Sequence, residues 1–370
     1  MRLGFACEWS RSPEKTWSGT PWGARTALGR QTEVVDLGLE YTAARKLWRY
    51  AYARRRRGRW MSVYQWSRRS DRTIQRKLQN SLRQNPVDAV IEVADLAPLD
   101  APFYVYQDLS FDVLMQHYDT AEGVPGFDGI DRSTIERRRE RQREIYDSAA
   151  GIFAMSDWFA EELVEHSGIP RERVHVVYAG LNSVEAGDHA EPEVESQDSG
   201  RLLFVGRDFF RKGGEQVVAA LARLRREHSP GLRLTVVGPE SWPLAGEIPE
   251  GVDFLGGRST AEVARLYREH DLFVMPSRFE AFGIVIREAL ANGLPVIGRS
   301  AFAMPEVVTP GKNGALVSGD GSDELAAAIV SVLESPEIRG YAARDAENMR
   351  ERFSWDTVAG RMIGAISGSA

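Results

Sequence analysis

The sequence lacks features on which several protein classes depend. Cys7 is the only cysteine in 370 residues, which excludes an internal disulfide and a cysteine-based metal cluster and suggests a reducing compartment. No stretch approaches the about 18 uninterrupted apolar residues that span a bilayer. The first segment, RLGFACEW, has no signal-peptide pattern. We therefore expect a cytoplasmic protein that does not span a membrane.

Histidine and net positive charge are also scarce. The six histidines include no pair at metal-ligand spacing, so no metal site is expected. The formal net charge is −6, whereas general nucleic-acid binders are usually basic overall, so no nucleic-acid partner is expected. The hydrophobic content of 43% is typical of globular proteins. A length of 370 residues favours two domains over a single core.

Short apolar strand patterns alternate with helix patterns through most of the chain. The predicted strands are RLGFACEW, TEVVDLG, DAVIEVA, FYVYQD, GIFAMS, VHVVYAG, RLLFVG, LRLTVVG, VDFLG, DLFVMPS, LPVIG and GALV. The predicted helices are 22–30, 41–84, 111–118, 131–149, 157–168, 213–228, 260–269, 283–292, 322–335 and a tail from Pro336 that is interrupted near Phe353. Apolar strands separated by amphipathic helices are typical of parallel sheets covered on both faces. We predict an α/β protein with two doubly wound, Rossmann-like domains.

The alternation stops in an acidic stretch near the middle of the chain. Residues 185–198 contain six acids and no Lys or Arg, which is typical of a solvated linker, or of a long surface loop with similar consequences. We predict the following order: an N-terminal domain over 1–184, a linker over 185–200, a C-terminal domain over 201–350 and a C-terminal helix over 351–370 that could pack back on the N-terminal domain. Ligand should bind in a cleft between the carboxyl ends of the strands of the two domains.

The stretch FEAFGIVIREALANGLPVIG, from Phe279 to Gly298, is the most informative one. Glu280 follows an apolar strand, Gly283 precedes an amphipathic helix, and Glu288 lies within that helix. A helix N-terminus offers free N–H groups and partial positive charge to an anion, and carboxylates accept hydrogen bonds from hydroxyls beside it. The pattern favours a sugar nucleotide. Alternatively, Glu288 is solvated and Glu280 interacts only with the helix dipole.

Two further segments have the chemistry of phosphate loops. In VGRDFFRKGG, Gly206 and Arg207 follow a strand and Lys212 precedes a helix, which suits a pyrophosphate or, alternatively, surface charges around a turn. In WSGTP, Gly19 and Thr20 form a small polar turn after the first strand. That turn does not match GxGxxG. It could face the donor, or Thr20 could simply cap the next helix, and the two roles are compatible.

Three motifs, in order, resemble one enzyme family. FEAFGIVIREALANGLPVIG is similar to the E-x7-E signature of the retaining glycosyltransferases of family 4 (glycosyl transferases group 1), which have the GT-B fold. VGRDFFRKGG resembles the segment with the phosphate-binding Arg and Lys of that family, and MPEVVTPGKNGALV resembles its closing segment. The resemblance covers the C-terminal domain almost end to end. It implies two Rossmann-like domains that face each other across a cleft.

The resemblance also implies a role for each matching residue. Glu280 would contact the hydroxyls of the transferred sugar, and Arg207 and Lys212 would stabilise the departing diphosphate; these three are the catalytic candidates. Glu288 would bind the ribose. The other donor-binding candidates are Gly19, Thr20, Gly206, Phe282, Gly283 and Ile284. No metal or other cofactor would be required, the anomeric configuration would be retained, and the leaving phosphate would accept the acceptor's proton.

The N-terminal half matches the family less closely. Many members have His-Asp after the fourth strand, whereas this chain has Gln107 and Asp108 there. These two residues and His117 are the acceptor-side candidates, although His117 is also typical of an ordinary histidine on a surface helix.

Residues 44–83 contain fourteen Lys or Arg, a single acid, Asp71, and several aromatic residues. This basic segment could contact an anionic membrane surface, select an anionic acceptor or, less directly, bind single-stranded nucleic acid. It could also be a solvated helical pair with its aromatic residues packed inward.

These features together predict a metal-independent, retaining hexosyltransferase. It would transfer a sugar from a nucleotide-diphosphate sugar to a hydroxyl acceptor that could be anionic or lipid-linked. A UDP-sugar is the preferred donor, and a GDP-sugar is the alternative. Its location would be cytoplasmic, with peripheral contact at the inner membrane face as an option. The alternatives are a sugar-nucleotide epimerase with the GT-B fold and a non-catalytic sugar-nucleotide-binding protein.

Overall fold

The computed structural model describes residues 1–40, 42–56, 59–118, 130–182 and 200–368. It divides into two compact units: unit 1 is Met1–Gly180 with Trp355–Ala370, and unit 2 is Leu181–Ser354. The predicted linker over 185–200 lies outside the described residues except for Gly200. Within the described ranges, each unit has one six-stranded sheet whose paired strands are all parallel.

Unit 1 contains eight strands and seven helices within the described residues. The strands are β1 (Arg2–Ala6), β2 (Glu33–Asp36), β3 (Ala53–Arg56), β4 (Arg59–Ser62), β5 (Ala89–Val93), β6 (Phe103–Gln107), β7 (Gly151–Ala154) and β8 (Val174–Val176). The helices are α1 (Thr20–Gln31), α2 (Ala43–Ala51), α3 (Arg68–Gln84), α4 (Phe111–Tyr118), α5 (Arg132–Ser148), α6 (Asp157–Glu165) and α12 (Trp355–Ile366). Short 3-10 helices span Pro13–Gly19, Tyr64–Trp66 and Arg171–Arg173. The sheet order is β2-β1-β5-β6-β7-β8, and β3 and β4 form a separate antiparallel hairpin.

Unit 2 contains six strands and five helices within the part of it that is described. The strands are β9 (Arg201–Val205), β10 (Arg233–Val237), β11 (Val252–Gly256), β12 (Leu272–Val274), β13 (Val296–Arg299) and β14 (Gly314–Val317). The helices are α7 (Gly214–Glu227), α8 (Thr260–Glu269), α9 (Ile284–Ala291), α10 (Ser322–Leu333) and α11 (Pro336–Arg352). The sheet order is β11-β10-β9-β12-β13-β14.

The predicted α/β class with two doubly wound units is confirmed. Each of the twelve predicted strands is present, because central strands buried on both faces are continuous apolar runs. The prediction of helix throughout 41–84 is wrong, since the β3–β4 hairpin interrupts it. In a helix, the arginine run at 54–57 and 59 would place like charges three and four positions apart, and Gly58 is a poor helix former.

Each sheet reverses its winding direction at one point. In unit 1 this switch point lies between β1 and β5, and in unit 2 between β9 and β12. Crevices at the carboxyl ends of the strands beside a switch point are the usual ligand sites of open parallel sheets. The residues that follow these four strands are therefore the ones to inspect.

One carboxyl group lies in the centre of the unit 1 sheet. Glu92 on β5 is fully buried, and its Oε2 accepts a hydrogen bond from the backbone N–H of Ala97 at 3.3 Å. Burial disfavours the charged form and raises the pKa of Glu92 well above its ordinary value. The fold therefore favours the neutral form of Glu92.

The last helix, α12, belongs to unit 1 and packs on α1. A Cβ atom added at Gly23 or at Gly180 would lie 2.3 Å or 2.2 Å from atoms of the Trp355 indole. Arg30 Nη2 also donates to Asp356 Oδ1 at 2.6 Å. Trp355 therefore occupies a space that exists only because both neighbours are glycines.

Candidate functional site

Lys212 and Glu280 come together at the switch point of unit 2. Lys212 precedes α7 and Glu280 precedes α9, and Lys212 Nζ lies 3.3 Å from Glu280 Oε2. Their side chains are only 12% and 14% exposed. Burial opposes the charge on Glu280, but Lys212 and Arg211 favour it more strongly, so that the pKa of Glu280 is lowered. The carboxylate is therefore charged and available as a hydrogen-bond acceptor.

The end of β9 makes room for the Lys212 side chain. A Cβ atom at Gly206 would lie 2.3 Å from Lys212 Cδ, closer than any packing allows. The lysine stem thus lies against the strand end, and a side chain at 206 would displace it.

Gly283 sets the start of α9. Its φ of 71° and ψ of 51° are left-handed, a conformation that glycine adopts without steric cost. Its backbone N–H bonds to Glu280 and contributes to the lowered pKa of that carboxyl group. Since α9 begins at Ile284, Glu280 lies in the preceding turn, close to the free N–H groups of the first helical turn.

Glu288 is held by two hydrogen bonds in the interior of unit 2. Its Oε1 accepts from the backbone N–H of Asn182 and its Oε2 from Tyr267 Oη, both at 3.3 Å. Burial and then the charge of Glu288 raise the pKa of Tyr267 well above its ordinary value, so Tyr267 remains a hydrogen-bond donor. A solvated Glu288 is excluded, because its residue is only 4% exposed.

Arg287, beside Glu288 on α9, is a fully buried cation. Its Nη2 lies 3.2 Å from Glu306 Oε2, and its guanidinium carbon lies 4.0 Å from the centre of the Phe282 ring. Phe282, a predicted donor-binding residue, thus stacks on Arg287, while Ile284 is the half-buried first residue of α9. The sequence pattern gave no sign that Arg287 and Glu306 pair.

The cations around Glu280 differ in part from those that were predicted. Arg211 Nη1 donates to the carbonyl oxygen of Phe279 at 2.6 Å and lies 3.5 Å from Glu280 Oε2. Arg207 is exposed and forms no ion pair within the described part of the chain. Arg211, which sequence reasoning missed, is therefore a fixed cation of the site, and Arg207 is an exposed one at its edge.

A charge network fixes the loops that carry these residues. Asp320 accepts hydrogen bonds from Gln216 Nε2 at 2.6 Å and from Arg278 Nε at 3.2 Å, and it also pairs with Arg299. Although burial opposes the charge, these hydrogen bonds lower the pKa of Asp320 to about 2. Gln216 lies in α7, whereas Arg278 lies in the loop before Glu280. The network therefore ties the Lys212 loop to the Glu280 loop.

Unit 1 has two adjoining pockets at its own switch point. The polar pocket, of about 360 Å³, is lined among others by Gln107, Asp108 and Ser110. The cationic pocket, of about 520 Å³, lies at the ends of β1 and β5. Five residues line both pockets: Glu8, Trp17, Arg45, Ala94 and Leu96. His117, on α4, does not line either one.

A buried ion network forms the floor of the polar pocket. Arg138 Nη1 lies 2.7 Å from Asp71 Oδ1, and Arg138 Nη2 lies 2.8 Å from Asp95 Oδ2. Burial raises the pKa of Asp95, although Arg138 opposes that shift. Gln107 is buried and donates to the hydroxyl of Tyr146.

The WSGTP loop has an unusual backbone. Trp17, Ser18 and Gly19 have φ values of 45°, 57° and 93°, and non-glycine residues in this region are strained by about 1–3 kcal/mol each. Helix α1 begins at Thr20 with Gly19 as its N-cap, so the prediction that Thr20 is the cap is wrong. Trp17 lies in the wall of both pockets.

The basic segment has an inner and an outer face. Arg69 lies 3.7 Å from the centre of the Trp48 ring, and the rings of Tyr52 and Tyr64 are 5.5 Å apart. On the outer face are Leu47, Tyr50 and Trp60, with 69%, 69% and 75% exposure. Among the described residues, no helix has the length and apolar character to cross a membrane. Inward packing therefore accounts for only part of the aromatic content.

Comparison with solved structures identifies the fold. Sucrose-phosphate synthase of Thermosynechococcus elongatus superimposes with a TM-score of 0.69 over 100% of both chains at 18% identity. WaaG, a glycosyltransferase involved in lipopolysaccharide biosynthesis, superimposes with a TM-score of 0.69 over 99% of this chain and 100% of its own at 17% identity. The fold is GT-B. The two doubly wound units correspond to the two domains of GT-B proteins.

Sequence comparison identifies the C-terminal part. Residues 188–351, less than half of the chain, match the family described as Glycosyl transferases group 1. A D-inositol 3-phosphate glycosyltransferase of Corynebacterium glutamicum is 28% identical over 255 residues, 64% of this chain and 61% of the relative. Glycogen synthase of Mycobacterium tuberculosis is 35% identical over 166 residues, 43% and 40% of the two chains. The chain spans less than two thirds of the length of these relatives.

Proposed function

We propose that this GT-B protein is a retaining, metal-independent glycosyltransferase that uses a nucleotide-diphosphate sugar. The observation that carries the proposal is the pairing of Lys212 with Glu280 beside the N-terminus of α9 at the unit 2 switch point. A cation, free N–H groups and a charged carboxylate fit a diphosphate with a hydroxyl-bearing ring next to it. The group 1 domain over 188–351 supports the same chemistry.

Each residue has a defined task in this proposal. Glu280 accepts hydrogen bonds from the transferred sugar, and Glu288 accepts them from the ribose. Lys212, with Arg211 and Arg207, stabilises the charge that develops on the leaving diphosphate, as preorganised cations do. The bond from the anomeric carbon to the phosphate oxygen breaks, the bond to the acceptor oxygen forms on the same face, and the leaving phosphate takes the acceptor's proton.

UDP-glucose is the first donor to test. A solved structure of the same fold, HepE of Anabaena, contains UDP-glucose. The curated relatives named as D-inositol 3-phosphate glycosyltransferases support a hydroxyl-bearing, anionic acceptor. GDP-glucose is the matched alternative, since it differs only in the base.

The decisive experiment is a donor panel with and without candidate acceptors, in buffer with EDTA. Released nucleotide diphosphate and the anomeric configuration of the product, measured by proton NMR, report transfer and retention. Nucleotide binding without release would favour a non-catalytic sensor. A changed sugar on an intact nucleotide would favour an epimerase. Release that depends on an added divalent metal would overturn metal independence.

We further propose that the outer face of the basic segment contacts anionic membranes. Leu47 and Tyr50 lie three positions apart on α2, and the exposed Lys46 accompanies them. Exposed apolar and basic side chains together bind anionic interfaces. The Leu47→Ser, Tyr50→Ser double variant should lose binding to phosphatidylglycerol vesicles, whereas Ile248→Ser, an exposed apolar site in unit 2, should not. Equal binding of neutral phosphatidylcholine vesicles would contradict the proposal.

A further inference from the structure

The charged side chains that line the cationic pocket of unit 1 are mainly positive. Arg11, Lys15, Arg45 and Arg49 line it, and Glu8 is the acid among its lining residues. Arg45 Nη2 lies 2.7 Å from Glu8 Oε2, so the single acid is already matched by one cation. The other three cations are exposed. The pocket therefore keeps an excess of positive charge that its own wall does not neutralise.

The position of this pocket in the fold is that of a ligand site. It is bounded by residues that follow β1 and by Val93, Ala94 and Leu96 at the end of β5. These are the two strands between which the unit 1 sheet reverses its winding. Ala94 has a left-handed φ of 66°, and strained backbone in non-glycine residues is concentrated at functional sites.

The adjoining polar pocket has a different chemistry. Asp95, Asp108 and Ser110 line it and can exchange hydrogen bonds with hydroxyl groups. Because the two pockets share Trp17 and Arg45 in their walls, one ligand can reach both. Its hydroxyl-bearing part suits the polar pocket, and an anionic substituent suits the cationic pocket.

We infer that the acceptor is a sugar or polyol that carries a phosphate or carboxylate group, and that Lys15 and Arg49 select it by that charge. The inference rests on the proposed function and specifies the acceptor class for it. The same chemistry is present in a soluble sugar phosphate and in a polyol phosphate headgroup of a lipid, so the test needs both sources.

The test compares ligands that differ only in charge. Binding of glucose, glucose 6-phosphate and glucuronate to the full chain is measured by calorimetry in saturating UDP, which fills the donor site. We expect both anions to bind at least tenfold more tightly than glucose. The Lys15→Gln, Arg49→Gln double variant should lose most of that preference. The matched control is Arg76→Gln, Lys77→Gln, which removes two exposed cations of α3 outside both pockets.

Vesicles provide the second arm. If the source is a lipid, vesicles with phosphatidylglycerol, whose headgroup is a polyol phosphate, should compete with glucose 6-phosphate more strongly than vesicles with the same fraction of phosphatidylserine. If the source is soluble, both vesicles should compete equally and weakly.

Two outcomes would overturn the inference. One is equal affinity for glucose and glucose 6-phosphate. The other is an equal loss of anion preference in the control variant, which would show that the overall charge of the protein alone causes the preference. Neither outcome changes nucleotide release from a donor, so the proposed function would stand. Conversely, if the anion preference is preserved but no donor releases its nucleotide, the proposed transferase activity is overturned and the anion-binding site remains supported.

Discussion

The hydroxyl group of Tyr267 on α8 donates a hydrogen bond to Oε2 of Glu288 on α9, at 3.3 Å, inside unit 2. The backbone N–H of Asn182 occupies the other carboxylate oxygen. Two separate segments thus fix one side chain in one orientation. A carboxylate held in this way can meet a ligand hydroxyl without rearrangement, which is what supporting residues around a binding site contribute.

The Tyr267→Phe variant should bind UDP about fivefold more weakly, because one hydrogen bond of about 1 kcal/mol that orients Glu288 is lost. The free energy of unfolding should fall by a similar amount. Calorimetry and urea denaturation measure the two effects. Tyr104→Phe in unit 1, whose ring stacks on Phe153, is the control and should leave UDP affinity unchanged. An unaltered UDP affinity in Tyr267→Phe would indicate that Glu288 does not bind the nucleotide.

The Lys212→Ala and Glu280→Ala variants should each lower kcat by about 100- to 1,000-fold, the usual effect of removing one preorganised group from a charge-stabilising site. Circular dichroism should show that both remain folded. Nucleotide release with the best donor is the measurement. Arg233→Ala removes an exposed cation of unit 2 that pairs with Asp253 and should turn over normally. Near-normal turnover in both site variants would refute the transferase assignment.

The Arg287→Met variant should lower the free energy of unfolding of the protein by about 3 kcal/mol, because Glu306, whose side chain is only 12% exposed, would lose the guanidinium that lies 3.2 Å from its carboxylate. Urea denaturation measures the loss. Adding Glu306→Gln should recover part of the stability, since the carboxylate charge that faced Arg287 is then removed as well. Arg233→Met, in an exposed pair, should be neutral. A loss that the second substitution does not reduce would indicate that the guanidinium stabilises through its ring contacts instead.

Glu92 should make the protein less stable as pH rises. Its pKa is raised by burial, so its folded value exceeds the unfolded one, and the favourable contribution of the neutral form is complete below the unfolded pKa and is lost as pH rises towards the folded pKa. A tenfold difference in proton affinity between the folded and unfolded states corresponds to about 1.4 kcal/mol. Glu92→Gln, neutral at every pH, should therefore be more stable than the wild type at pH 8 and equal to it at pH 4.

Urea denaturation at pH 4, 6 and 8 tests this difference. The control is Glu14→Gln, an exposed acid in the first turn of the 3-10 helix Pro13–Gly19, which should follow the wild type at each pH. A constant offset between Glu92→Gln and the wild type across the three pH values would show that the carboxyl group does not change its charge on unfolding.

The strands could be predicted from the sequence because burial on both faces leaves a continuous apolar run, as in Leu202–Val205. The β3–β4 hairpin could not, because its arginines carry no apolar alternation. The aromatic residues that flank the hairpin, Tyr52 and Tyr64, pack against each other although they lie twelve positions apart in the chain.

The candidate site could be predicted where one short segment contains both the charged side chain and the glycine that precedes the helix, as at Glu280 and Gly283. Arg211 was missed because the carbonyl oxygen that fixes it belongs to Phe279, and nothing in the sequence near 211 indicates that contact. Arg287 and Glu306 were missed for the same reason. Each is a charge in an apolar stretch, and only the fold shows that the two charges neutralise each other.

The position of Trp355 between Gly23 and Gly180 constrains how the chain can be made. Unit 1 is interrupted in sequence by the whole of unit 2, so α12 leaves the ribosome only after unit 2 has been synthesised. Until α12 arrives, the space beside Gly23 and Gly180 is open, and α1 lacks the surface that covers it. Unit 2 can therefore be completed before unit 1, which needs α12. Nascent chains cut before Trp355 should therefore expose α1 to a chaperone or a protease.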